Sequence, residues 1–150
     1  MAKGGDFPAV GPLHLVKMAV GAADVEDLRR SRAQRRVERG ASWVYTRNHP
    51  RRAEAVLAGG SLYWVVKGQI RARERIIGFR AECEDSGRAY CLIVTDGEFV
   101  ATLPRAFRPF QGWRYLPPAD APKDIPAGPG GDFSQMPEHM LLELRELGLI

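Results

Sequence analysis

The chain has 150 residues, 45% of them hydrophobic, and a formal net charge of +4. That length and apolar content support one domain with a real core and argue against wholesale disorder. No apolar run approaches the ~20 residues of a membrane span and no hydrophobic signal core opens the chain, so a cytoplasmic protein without a membrane partner is expected.

Residues 1–12 read as a loose tail, followed by a single α+β domain over 13–150. Leu13 to Val20 alternates and carries β-branched residues, so it is expected to be a strand ending at Gly21. Asp24 caps a helix that runs to Arg39 and stops at Gly40, with Glu26 and Asp27 in its first turn. Its apolar stripe is thin (Val25, Leu28, Ala33, Val37), and six arginines cover the rest. That surface is either a solvated face or a nucleic-acid contact helix. Trp43 to Thr46 reads as a second strand, and Pro50 starts a short helix that Gly59-Gly60 closes.

Ser61 to Val66 is an apolar run of strand length bounded by glycine, the pattern of a strand buried on both faces. Tyr63 and Trp64 are neighbours in it and should point to opposite faces. Lys67-Gly68 turns the chain into a long strand, Gln69 to Cys83, and Arg88 to Thr95 returns. Asp96-Gly97 carries the signal of a type I′ hairpin, with Glu98 to Leu103 as the next strand. The middle is thus expected to be an antiparallel meander of four strands curled into a small barrel. Arg108 to Tyr115 reads as a loop and 117–131 as a Pro/Gly-rich linker. Pro137 opens a last helix, with Met140, Leu141, Leu144 and Leu147 on one face, packed outside the barrel with the other helices.

Charge is uneven. Residues 43–115 hold twelve Lys/Arg against seven Asp/Glu, and residues 116–150 hold two against six. The central region is therefore suited to an anionic partner. Arg71, Arg73 and Arg75 alternate along the long strand, about 6.6 Å apart per step on one face. They could pair with carboxylates of neighbouring strands or track phosphates. Arg47, His49, Arg51 and Arg52 lie where a strand gives way to a helix, a place suited to an anion. Arg108, Gln111, Trp113 and Arg114 mix groups that can stack on a base and bond its edges, or clamp a barrel end. With Trp64 and Lys67 these form the candidate binding set.

Other chemistries find no support. There is no P-loop, dinucleotide-binding glycine pattern or nucleophile elbow. The three histidines and two cysteines lack zinc-ligand spacing, so neither metal nor cofactor is expected. Cys83 and Cys91 flank a turn and read as reduced thiols, though they could face each other. Catalytic residues are not identifiable.

Several stretches together resemble a bacterial family catalogued as domain of unknown function 1489. They are Leu13-His14-Leu15-Val16-Lys17, Val20-Gly21, Thr46-Arg47 with Pro50 and Arg52, Gly59 to Gly68, and Arg108 to Tyr115 with Ala121-Pro122. The resemblance implies a bacterial, cytoplasmic protein and carries no activity. By fold alone, the basic aromatic meander is similar to PUA-like barrels, which often bind RNA or modified bases. Three functions follow as alternatives: a binding module for RNA or another nucleic acid, an enzyme or sensor for a small anionic metabolite or nucleotide, and a structural or interaction protein. The second requires Arg47, His49, Arg52, Lys67 and Arg114 to converge. The oligomeric state stays open.

Overall fold

The structure is a computed structural model, and it describes residues 12–125. The expected N-terminal tail to residue 11, the linker from 126 onward and the C-terminal helix lie outside the described residues. Seven strands form a single mixed sheet: β1 (His14–Met18), β2 (Ser42–Thr46), β3 (Ser61–Val66), β4 (Gln69–Cys83), β5 (Ala89–Thr95), β6 (Val100–Ala106) and β7 (Trp113–Leu116). Two helices, α1 (Val25–Arg39) and α2 (Ala53–Leu57), complete an α+β architecture.

The order across the sheet is β2-β5-β4-β3-β1-β7, with β6 also on β4. Its two ends, β2 and β7, do not pair, so the sheet is open and the expected closed PUA-like barrel does not form. The cause is a crossover. The chain leaves β1 through α1, lays β2 at the far end, and returns through α2 to place β3 parallel to β1. That step inserts a parallel pair into what would otherwise be a meander and carries the two ends apart.

The β3–β4 hairpin has the expected two-residue turn, with Val66 opposite Gln69. Lys67 and Gly68 adopt φ of 50° and 82°, so here the chain takes positive φ at both central positions. Asp96-Gly97 does not reverse the chain. β5 and β6 both run antiparallel to β4 and hence in the same direction. Only Gly97 of that dipeptide has positive φ, and the Arg36 guanidinium donates to its carbonyl at 3.3 Å. Residues 96–99 are a break in one long partner of β4. The local turn signal lost to the fifteen-residue strand beside it, which offers an edge long enough for both segments.

Two further expectations change. Trp113–Leu116 is a strand, drawn out of the predicted loop by antiparallel pairing with β1. The first part of the predicted linker is ordered along β6, because Leu103 donates to Lys123 O at 2.8 Å and Ile125 to Ala101 O at 3.0 Å.

β3 is buried along its whole length, as its apolar run implies. Leu62, Trp64 and Val66 join Leu15, Ala72, Ile76 and Ile93 in a core covered by Val25 and Leu28 of α1 and Val56 of α2. Tyr63 and Val65 face the other way and pack with Val16, Ile70 and Leu116 under Phe107 and Phe110. α2 closes against β3 through Gly60. A Cβ there would stand 2.1 Å from Leu13 O and 2.6 Å from Val56 O, both rigid backbone atoms.

The α1 stripe does not stop at Leu28. Position 32 lies on the same side of the helix, and Arg32 is 5% exposed. Its guanidinium forms a two-pronged pair with Glu74 of β4, Nε–Oε2 at 2.8 Å and Nη2–Oε1 at 2.9 Å. Ser42 Oγ accepts from Arg32 at 3.0 Å, and Thr95 Oγ1 donates to Glu74 Oε1 at 2.7 Å. Burial works to raise the Glu74 pKa, but the hydrogen bond and charge of Arg32, with Thr95 and Ser42, outweigh it and hold the carboxyl below its ordinary value.

Two stability tests follow. Glu74→Ala leaves a buried guanidinium uncompensated and is expected to cost about 3–5 kcal/mol in urea unfolding, whereas the apolar double variant Arg32→Met/Glu74→Leu costs less than the single change. Gly60→Ala is expected to destabilise by about 3 kcal/mol, the upper end of overpacking costs, by the same measurement.

Candidate functional site

The face of α1 that carries Val25, Leu28 and Arg32 continues at positions 35 and 39, where it passes beyond the core. Asp24 caps the helix start by accepting from Asp27 N–H at 2.7 Å, and Gly40 ends it at φ 73°. Between the last two turns of α1 and strands β1, β2 and β3 lies a recess of about 340 Å³. Lys17, Arg35, Arg39, Trp43, Tyr45 and Trp64 are among the residues that line it, and among the described residues no carboxylate is in its wall.

Each wall has a local reason. Lys17 sits opposite Trp64 of β3 and opposite Trp113 of β7, so strand register puts it between two tryptophan positions on one face of the sheet. Burial lowers its pKa. Arg39 lies over the Trp43 ring, 3.7 Å from its centroid, and donates to Trp43 O at 3.1 Å. Its own pKa is lowered by burial and then by the charges of Arg35 and Arg32. Trp64 is 5% exposed, and its Nε1–H is fully buried with no hydrogen-bond partner among the described residues.

The charge on α1 is divided. Arg29 pairs with Glu26 at 3.4 Å and Arg30 with Asp27 at 3.6 Å. Arg32 is spent on Glu74. Arg35, Arg36 and Arg39 have no carboxylate within ion-pair distance among the described residues. The positive surplus therefore gathers at the C-terminal end of the helix, beside the recess.

The family model described as "Protein of unknown function (DUF1489)" matches residues 15–150. The chain belongs to this family. No match is found among curated proteins or among solved structures.

In this DUF1489 protein the residues singled out from sequence go to several places. Trp64 alone of that set lines the α1 recess. The two motif blocks do meet, but through structural bonds. Trp113 Nε1 donates to Asn48 O at 2.8 Å, and Tyr115 Oη accepts from Arg52 N–H at 3.0 Å. The indole N–H and the phenol oxygen thus hold the 47–52 loop. Arg47 pairs with Glu84 at 3.5 Å and donates to Ala89 O at 3.1 Å. His49 packs against Phe79, with ring centroids 5.6 Å apart. Lys67 is exposed in the β3–β4 turn, Arg51, Arg108 and Gln111 are exposed, and Arg114 lies over Phe110 at 5.1 Å. Arg47, His49, Arg52, Lys67 and Arg114 share no recess among those described.

The arginine ladder also breaks. Trp64 pairs with Ala72 and Val65 with Ile70, so Arg71 is the extra residue of a bulge. It is buried at 4% exposure, whereas Arg75 is exposed. Arg73 holds Asp124 through Nε at 2.8 Å and Nη2 at 2.7 Å, and donates to Ser61 Oγ at 3.1 Å. Cys91 pairs with Ala81 and Cys83 with Ala89, so the thiols are offset by two residues, and both are free. No group of three or more metal-ligating side chains occurs among the described residues, and no described helix is long and apolar enough to cross a membrane.

Sequence reasoning left Lys17, Arg35, Arg39 and Trp43 out of the candidate binding set, although it weighed the arginine surface of α1 as a nucleic-acid contact. The usable signal was the 25–28–32–35–39 spacing, which turns from apolar to cationic along one helix face. It also missed His14, which is 8% exposed and accepts from Ser61 N–H through Nδ1 at 3.0 Å. Burial, then repulsion from Arg73, lowers its pKa from 6.5 to about 4. The unfolded chain therefore takes up this proton at higher pH than the native one, so the His14 contribution to stability is complete above pH 6.5 and lost as pH falls towards 4. The urea midpoint is expected to fall across that window, and His14→Gln to flatten the fall. An unchanged slope in the variant would assign the effect elsewhere.

Proposed function

We propose that this protein is a binding module for nucleic acid, single-stranded RNA foremost, and that the strand crosses the C-terminal end of α1 at the Lys17–Arg39 recess. One observation carries the reading: Lys17, Arg35 and Arg39 converge beside Trp43 and Trp64 in a wall to which no described residue contributes a carboxylate. Cations left without acidic partners gain most from a phosphate backbone, because binding releases its condensed counterions. An unpaired base can stack on Trp43 by displacing Arg39, or lie on the guanidinium plane itself, and both modes are general among single-strand binders. A paired base offers no free face, which is why the single strand is favoured.

Titration of the full chain with a short single-stranded RNA, followed by tryptophan fluorescence at two salt concentrations, tests this. With three to four phosphates engaged, the log–log salt slope is expected to be about −2 to −3. Arg35→Ala and Arg39→Ala should each lower the slope by about 0.7 while leaving the unfolding midpoint in place. Absence of binding at low salt, or slopes unaffected by either change, would refute the reading.

A further inference from the structure

On the opposite face of the sheet from α1, a second open recess of about 480 Å³ lies between β3, β4 and residues 118–124. We propose that it is a site for a small oxyanion of the phosphate type, held by Arg75, Lys123 and the His14 Nε2–H.

The argument begins with the imidazole. Because Nδ1 accepts from Ser61 N–H, His14 must carry its proton on Nε2. The ring is held edge-on to Tyr63, with centroids 5.0 Å apart at 77°. His14 lines the recess, its Nε2 has no partner among the described residues, and its side chain is more than nine-tenths buried. It is therefore a fixed neutral donor. It stays one at neutral pH, because burial and Arg73 oppose its protonation.

The charge count follows. Arg73 and Asp124 line the same recess but neutralise each other through two short bonds. Asp96, whose charge also reaches Arg73, accepts from Glu98 N–H at 2.9 Å. Arg75 and Lys123 line the recess with no carboxylate in ion-pair distance among the described residues. The lining itself thus holds two cations in excess of its carboxylates, with the Asp96 charge outside it, a set suited to a phosphate-type oxyanion. Ser61 Oγ accepts from Arg73 Nη1, so its own proton is available as a further donor. A tetrahedral oxyanion, rich in acceptors, uses such a ring of donors fully.

The probe is inorganic phosphate, added to the full chain while the His14 ring signals are followed by proton–nitrogen NMR at neutral pH. A saturable shift of the Nε2–H signal is expected. Arg75→Ala/Lys123→Ala should weaken it at least about tenfold, the loss of one charge-assisted hydrogen bond or more. Arg35→Ala/Arg39→Ala, which alters only the α1 recess, should leave it unchanged, so the two sites are read separately. No shift, an equal response to acetate at matched ionic strength, or retention of full affinity in the Arg75/Lys123 variant would overturn the assignment.

Discussion

A single buried ion pair organises this molecule. Arg32 enters the core because it falls on the apolar face of α1, and no guanidinium can stay there without a partner. Glu74 meets it from the centre of β4, Ser42 from β2 and Thr95 from β5. The network therefore sets one helix against three strands at a defined rotation. Cost and benefit of such a pair nearly cancel against an apolar equivalent, so its value lies in specifying position. Turn α1 by one residue and the carboxylate is left alone. That rotation also presents Arg35 and Arg39 to the recess, so the pair in the core and the charge at the surface have one origin.

β4 is the second organising element. It pairs with β3 on one edge and with β5 and β6 along the other. Its bulge at Arg71 changes which side chains share a face, and its length turns Asp96-Gly97 from a reversal into a break. The sheet that results is covered by helices on one face and by loops on the other. Each face carries a cationic recess, and the sheet separates them. Binding at one can thus be altered without touching the other.

The aromatic blocks show how similar compositions serve different ends. Trp113 and Tyr115 point from β7 at the backbone of the 47–52 loop and hold it with two hydrogen bonds. Trp43 and Trp64 line an open recess, and the Trp64 N–H has no acceptor among the described residues. Composition alone cannot separate these roles, because an indole N–H bonds a carbonyl or a ligand equally well. What decides is whether a backbone carbonyl of a distant segment, such as Asn48 O, comes within reach of the ring N–H.

Local rules made much of the fold legible. The Asp24 cap and Gly40 stop bounded α1, the glycine-flanked apolar run marked β3, and alternation within it placed Tyr63 and Trp64 on opposite faces. These depend on backbone φ preferences and on the periods of helix and strand, which neighbours in the chain carry by themselves. The parallel β1–β3 pairing, the open sheet, the Arg71 bulge and the meeting of Lys17, Arg39 and the two indoles depend on contacts between residues far apart in the chain. A buried charge finds its partner, and a strand its neighbour, only when the whole core closes. The chain alone therefore determined that cations and aromatic rings would abound, and the tertiary structure decided which of them are spent on one another and which are left to meet a ligand.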